Sequence, residues 1–221
     1  MSRVLPRVVG ASLVLVAACS ADRDPAVAPS TTGNAATASS PPTVPAVEVD
    51  SVAMVGDSIT VGSLEALEQS FATLGVDDVE IDAEDGRRMV LDGTMPSGLA
   101  AVADIVEDDP PDLWVIALGT NDVANYQPDQ YRPAIAELLA AVPADAPLVW
   151  VDTYLDAHQE ESAAFNLELR AALAERGQAT VVDWAEVASE DGVLQDGVHP
   201  SGYGIDQFAD RVTFAVADWM S

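Results

Sequence analysis

The sequence predicts an α/β domain built on a five-stranded parallel sheet with helices on both faces. Five short apolar runs, rich in Val and Ile, alternate with five segments in which apolar residues recur at helical spacing. Strict alternation of strand and helix is typical of a parallel sheet, because each strand needs a long crossover to return to the same end. The predicted strands are residues 52–55, 79–81, 113–118, 148–151 and 180–182.

Each predicted strand is followed by apolar residues three or four positions apart, which is the helical period. In chain order these sets are Leu64, Leu67, Phe71 and Leu74; Leu99, Val102, Ala103 and Val106; Ile135, Leu138, Leu139 and Val142; Phe165, Leu169, Ala172 and Leu173; and Phe208, Val212, Ala215 and Trp219. Sites in such folds lie at the carboxyl ends of the strands. The residues just after each strand are therefore the first candidates for function.

Composition restricts the classes of function. The chain has 221 residues, enough for one domain, and its 49% hydrophobic content is enough for a core. Because 37 acidic residues face only 9 Arg and no Lys, we expect no nucleic-acid partner and a monomer kept soluble by its charge. One cysteine and two histidines exclude an internal disulfide and leave too little for a His-based zinc motif, so we predict no metal.

The first 18 residues have the pattern of a secretory signal. Arg3 and Arg7 precede an apolar run at 8–18 that is too short to span a bilayer. The residues up to Cys19 resemble the lipobox of bacterial lipoproteins, which implies that Cys19 is lipidated and holds the protein at the outer face of the cell membrane. The alternative is a plain cleaved signal with an incidental cysteine.

Residues 19–47 are predicted to form a tether. From residue 20 onward, 20 of the 28 residues are Ala, Pro, Ser or Thr, and none is aromatic. Such a segment cannot bury enough apolar surface to offset its ordering entropy. The folded domain is therefore predicted to cover residues 48–221.

Four short motifs follow predicted strands or precede the last helix. They are Gly56-Asp57-Ser58, a glycine at Gly86, Gly119-Thr120-Asn121-Asp122 and Asp196-Gly197-Val198-His199. In this order they resemble the SGNH (GDSL-like) hydrolase superfamily over nearly all of residues 49–221. The resemblance implies a three-layer α/β/α, flavodoxin-like fold and a small carbohydrate acetylesterase or the catalytic domain of a cell-wall O-acetyltransferase.

The residues themselves suggest a nucleophile and its base. Ser58 lies on a tight turn between a strand and a helix, where a serine is either a nucleophile or simply a helix cap. His199 can take the serine proton, and Asp196, three residues earlier, can accept from the other ring nitrogen and fix the tautomer. The alternative for that pair is a solvated turn. We predict a Ser58, His199 and Asp196 triad.

An ester reaction also needs donors for the oxyanion. We predict the Asn121 carboxamide and the backbone N–H groups of Gly86 and Ser58 for this role. Gly86 lies between two acidic and two basic residues, and the alternative interpretation is that this glycine only forms a turn.

Several more polar or aromatic residues near the motifs are predicted to have structural roles. Asp57 and Asp122 are expected to cap helices or brace loops, and His158 to be solvated. Arg87 and Arg88 are either a binding pair for an anionic or sugar group or an exposed pair that relieves acidic repulsion. Trp150 and Trp184, at strand positions, are expected in the core.

The resemblance, together with the predicted extracellular location, implies hydrolysis of a short acyl ester, above all an acetyl group on an extracellular or envelope glycan. The short loops agree with this, because they leave little material for a lid over long chains. The reaction requires no cofactor. Fold alone does not fix the substrate. An O-acyltransferase would use the same residues. The sequence is also compatible with a lipase or thioesterase acting on longer chains and with a non-enzymatic envelope binding module.

Overall fold

The computed structural model describes residues 49–90 and 97–221, which form a five-stranded parallel sheet. Neighbouring strands pair in the order β2-β1-β3-β4-β5, the order of flavodoxin-like folds. All five predicted strands are confirmed. They are β1 (Ser51–Gly56), β2 (Asp78–Ala83), β3 (Leu113–Ala117), β4 (Leu148–Val151) and β5 (Ala179–Val182). The predicted signal segment, Cys19 and the tether lie outside the described residues.

Seven α-helices are described, of which five are the predicted ones. These five are α1 (Ser58–Leu74), α2 (Gly98–Asp108), α4 (Pro128–Ala141), α5 (Gln159–Arg176) and α7 (Gly202–Ala217). The strict alternation of five and five is wrong in detail, because α3 (Thr120–Val123), α6 (Trp184–Ala188) and a 3₁₀ turn (Asp156–His158) were not predicted. Elements of three to five residues are too short to show a helical period.

The sheet separates two apolar layers, as its strand residues alternate between its faces. On β1, Val52 and Met54 pack with α1 and α7, whereas Ala53 and Val55 pack with α2, α4 and α5. This alternation places the sheet between two helical layers. The three-layer α/β/α architecture is therefore confirmed.

Trp150 and Trp184 are both buried, as expected, although only Trp150 lies on a strand. Trp150 on β4 is fully buried and donates its indole N–H to the carbonyl of Leu118 at 3.0 Å. Trp184 is the first residue of α6 rather than a strand residue, and it packs edge-on against Phe208 of α7. Both large rings therefore stabilise the layers instead of forming an exposed platform.

The turn from β1 to α1 is tight because of Gly56. A Cβ at this position would lie 2.0 Å from Oγ1 of Thr60, closer than any real contact. Directly after it, the Asp57 carboxylate accepts the Ile59 N–H at 3.0 Å and so caps α1. Ser58 is therefore held at the first position of the helix without itself serving as the cap.

The helices of the described part of the chain are those of a packed domain. Within residues 49–90 and 97–221, none is both long enough and apolar enough to cross a bilayer.

Leu169→Ala is expected to lower the free energy of unfolding by about 2–5 kcal/mol, because Leu169 is fully buried on α5 and its loss leaves a cavity. Leu167→Ala, on the same helix but 69% exposed, should change it by less than about 0.5 kcal/mol. Urea unfolding of both variants checks this. Equal losses would contradict the described packing of α5.

Candidate active site

Three predicted residues form a continuous hydrogen-bonded chain at the carboxyl edge of the sheet. Oγ of Ser58, at the start of α1, lies 3.1 Å from Nε2 of His199. Nδ1 of the same ring lies 2.9 Å from Oδ2 of Asp196. The serine hydroxyl, the imidazole and the carboxylate therefore have the order and spacing of a nucleophile, a base and an orienting acid.

The Asp196 carboxylate is held by its own loop. Its Oδ1 accepts the backbone N–H of His199 at 2.7 Å and that of Val198 at 3.0 Å. These bonds, with the His199 ring bond, lower the pKa of Asp196 to about 2, the backbone bond from His199 contributing most. Asp196 is therefore ionised at any pH at which an imidazole can act as a base.

A second loop supports the turn that carries Asp196 and His199. The carbonyl of Gly197 accepts the Asp156 N–H at 2.9 Å, and Asp156 begins the 3₁₀ turn after β4. His158 ends that turn and is partly exposed, with its Nδ1 3.9 Å from Oε2 of Glu161. The expectation that His158 is solvated is confirmed, and its loop contributes through its backbone.

Asn121 lies beside the serine turn, on the short helix α3. Its Nδ2 donates to the carbonyl of Arg87 at 3.1 Å and to Oδ2 of Asp57 at 3.4 Å. Because Asp57 directly precedes Ser58, this second contact brings the carboxamide to the nucleophile turn. The carboxamide therefore borders the turn that carries Ser58, and its role as an oxyanion donor stays a prediction.

Gly86 occupies a turn that joins this group. Arg87 N–H donates to the carbonyl of Glu84 at 3.2 Å, and Gly86 has a φ of 75°, a left-handed conformation that favours glycine. Asn121 binds the residue that follows Gly86, so the turn borders the carboxamide. Gly86 as an oxyanion donor stays a prediction.

Two buried carboxyls lie directly beneath these groups. Burial raises the pKa of Asp57 to about 6 and that of Asp122 to about 7, and the nearby Asp57 charge adds to the rise at Asp122. Asp57 caps α1, and Asp122 accepts the Met89 N–H with both oxygens at 3.2 Å. The predicted capping and bracing roles are confirmed.

The two arginines that follow Gly86 lie in different environments. Arg87 is buried, with its side chain 5% exposed, and binds Asp82 at 2.7 Å. Arg88 is half-buried and lies over the Tyr126 ring, 5.9 Å from its centroid. The expectation of an exposed pair is wrong for Arg87, since the β2 carboxylate compensates its charge inside the protein.

The polar network below the site was missed from the sequence. Thr120 and Thr153 share a hydrogen bond of 2.8 Å between their hydroxyls, and the Asn166 side chain binds both the N–H and the carbonyl of Thr153. These residues link the ends of β3 and β4 to α5. Nothing in their spacing signals this, because the contacts join three separate segments.

The described residues contain no group of three His, Cys, Asp or Glu side chains arranged to hold a metal ion. The reactive groups that the structure gathers at this edge are the serine, histidine and aspartate chain and the N–H donors beside it.

Residues 54–206, more than half of the chain, match a family model described as the GDSL-like lipase/acylhydrolase family. The chain belongs to this family. The predicted enzyme class, an SGNH-type ester hydrolase, agrees with that membership. No curated protein sequence matches the chain significantly.

Solved structures share the fold of this GDSL-like chain. The catalytic domain of Streptococcus pneumoniae peptidoglycan O-acetyltransferase A, solved with a methylsulfonyl adduct, has a TM-score of 0.61 at 20% identity, over 77% of this chain and 94% of that one. TesA has a TM-score of 0.64 at 23% sequence identity, over 75% of this chain and 97% of TesA. A family 3 carbohydrate esterase from Clostridium thermocellum has a TM-score of 0.57 at 17% sequence identity, over 78% of this chain and 98% of the esterase. At these identities the likeness establishes the fold.

Asp122→Asn is expected to reduce the dependence of stability on pH. The pKa of Asp122 is raised to about 7 in the folded protein, so its contribution is complete below about pH 4 and is lost as the pH rises through 7. Between about pH 5 and pH 8, the free energy of unfolding of the wild type should fall by about 2 kcal/mol more than that of the variant.

Urea unfolding at both pH values measures this difference. Asp104→Asn, at an exposed position on α2, is the control and should behave like the wild type. Equal pH dependence in Asp122→Asn and the wild type would contradict the raised pKa.

Proposed function

We propose that this chain is a serine esterase that hydrolyses short acyl esters, acetyl esters above all, on an extracellular or envelope glycan. The observation that carries the proposal is the unbroken chain from Ser58 Oγ through the His199 ring to Asp196, at 3.1 and 2.9 Å. Asp57 caps α1, so the Ser58 hydroxyl is left to bind the imidazole.

In the first half of the reaction, Ser58 Oγ attacks the ester carbonyl while its proton passes to Nε2 of His199. Asp196, ionised, stabilises the imidazolium through Nδ1. The carbonyl oxygen becomes an oxyanion that accepts from the Asn121 carboxamide and from the N–H groups of Ser58 and Gly86. Collapse breaks the bond to the alcohol oxygen, which takes the proton from His199, and leaves an acyl group on Ser58.

In the second half, water attacks the acyl-serine carbonyl as His199 accepts its proton. The bond to Ser58 Oγ then breaks, Oγ takes that proton back from His199, and the carboxylic acid leaves. A sugar hydroxyl in place of water would complete an acyl transfer. The S. pneumoniae O-acetyltransferase domain, which shares this fold, favours transfer as the second candidate function.

Access to the site supports a polymeric substrate. The side chains of His199 and Asp196 are 40% and 53% exposed, so the general base faces solvent. A glycan can therefore bring a side-branch ester to Ser58 without threading into a closed cavity. A peptidoglycan O-acetyltransferase and a carbohydrate esterase share this fold, which supports the same class of substrate.

The location proposed for the enzyme rests on the sequence. A signal segment at 1–18, Cys19 as the lipidated residue and a tether at 19–47 would hold the catalytic domain at the outer face of the cell membrane, within reach of envelope glycans. The strong negative charge supports a soluble, monomeric domain on this tether.

Ser58→Ala is expected to lower turnover of p-nitrophenyl acetate by at least about 10⁴-fold, because it removes the nucleophile. Ser70→Ala, on the same helix and about three turns away, is the control and should retain wild-type activity. The wild-type rate should fall from acetate through butyrate to octanoate, measured by nitrophenolate release.

Different outcomes of this assay point to different functions. A rate that rises with acyl length would replace the short-ester proposal with a lipase or thioesterase. No turnover on any ester, with Ser58 unlabelled by a sulfonyl fluoride, would replace it with a binding module. Acetylated oligosaccharide formed when a glycan acceptor is added, detected by mass spectrometry, would identify the transferase.

Cys19→Ser is expected to move the protein from the membrane fraction to the soluble secreted fraction, because the lipid anchor needs the cysteine thiol. Immunoblotting of the two fractions from bacterial cells expressing each full-length form measures this. A wild-type protein found entirely in the soluble fraction would contradict the lipoprotein proposal and favour a plain cleaved signal.

A further inference from the structure

A buried guanidinium joins the strand ends that carry the site. Nη1 of Arg87 donates to the backbone carbonyl of Asp82, near the end of β2, at 2.6 Å, and to the carbonyl of Gly56, the last residue of β1, at 3.4 Å. Nη2 binds the Asp82 carboxylate at 2.7 Å. One side chain therefore fixes the end of β2 against the residue two positions before Ser58.

The backbone carbonyl of Arg87 binds a side chain that follows the third strand. The Arg87 carbonyl accepts from Asn121 Nδ2 at 3.1 Å, and Asn121 lies just after β3. The turn from Glu84 to Arg87 is closed by its own hydrogen bond, and the Glu84 N–H also donates to the Gly56 carbonyl at 3.3 Å. Arg87 thus binds β1, β2 and the carboxamide that follows β3.

The two hydrogens of the Asn121 amide are held unequally. The bond to the Arg87 carbonyl is 3.1 Å, whereas the contact with Asp57 is 3.4 Å and correspondingly weak. The hydrogen on Asp57 is the one that can be given up to an oxyanion at Ser58. The bond to Arg87 then keeps the carboxamide plane fixed while the other hydrogen changes partner.

We propose that Arg87 is a positioning residue of the esterase, one that sets the Asn121 amide at the distance from Ser58 that the oxyanion requires. This inference rests on the proposed function. Arg87 acts by geometry rather than by charge, because the Asp82 carboxylate already compensates it. It contacts no reacting atom itself.

The geometry requires arginine and not merely a cation. Two nitrogens of the planar guanidinium bind Asp82 and Gly56 at the same time, whereas a lysine offers one ammonium at the end of a flexible stem. Arg87→Lys therefore keeps the charge but loses the fork. Displacement of catalytic groups by about 1 Å is enough to cost about 10²-fold in rate.

The test compares kcat and KM for p-nitrophenyl acetate in four full-length forms: wild type, Arg87→Lys, Asn121→Ala and the double variant. Arg87→Lys should lower kcat by about 10²-fold with little change in KM. Asn121→Ala should lower kcat by about 10²–10³-fold. The double variant should lose no more than Asn121→Ala alone, because Arg87 acts through Asn121.

Arg176→Lys is the matched control. Arg176 also donates to backbone carbonyls, those of Pro143 and Ala146, but these precede β4 at the opposite end of the sheet from the site. It should retain wild-type kcat even where thermal unfolding shows a loss of stability. A loss of kcat in Arg176→Lys equal to that in Arg87→Lys would overturn the proposal.

Two further outcomes would overturn it: wild-type kcat in Arg87→Lys, and independent, multiplying losses in the double variant. If Arg87→Lys does not fold, Asp82→Ala replaces it, since Asp82 is partly exposed and its loss releases one arm of the guanidinium. Asp82→Ala should lower kcat in the wild type and not in Asn121→Ala. Failure of the esterase proposal looks different, because the wild type would then match Ser58→Ala.

Discussion

The Asp57 carboxylate accepts the Ile59 N–H, and this cap determines what Ser58 can do. A serine at a helix start usually satisfies the free N–H groups of the first turn. Here the preceding residue does so, and the Ser58 hydroxyl is free to bind the imidazole of His199. The close turn at Gly56, where no Cβ fits, brings strand and helix together at this point. The nucleophile therefore depends on the residues just before it.

The same carboxylate carries an energetic cost that the site requires. Asp57 and Asp122 are buried with raised pKa values, so at neutral pH the domain holds charges that the unfolded chain would hydrate more favourably. Backbone N–H groups of Ile59 and Met89 offset part of this cost. Both carboxylates fix loops at the carboxyl edge of the sheet. Their burial lowers the free energy of unfolding but holds the groups around Ser58 in a rigid arrangement.

The sequence predicted the elements that repeat a pattern and missed those that do not. The central strands β1, β3 and β4 are buried between two helical layers, so they appear as apolar runs, and the five long helices show their period. Helices α3 and α6 have four and five residues, fewer than the period needs. The burial of Arg87 was not predicted, because an arginine after a turn is ordinarily exposed and no local pattern indicates otherwise.

The sequence by itself determined the α/β class, the strand ends and the identity of the serine, histidine and aspartate that meet there. The order of strands and helices suffices for the class and for Ser58, since a parallel sheet gathers its strand ends at one edge, and the motif before the last helix identified Asp196 and His199. Only the tertiary structure decided which donor serves which acceptor. The Asn121 amide faces Asp57 and Arg87, and the Arg87 guanidinium faces Asp82 and Gly56, and all of these contacts except the one with Asp82 join residues far apart in the chain. Such pairings depend on packing geometry, which no local pattern encodes.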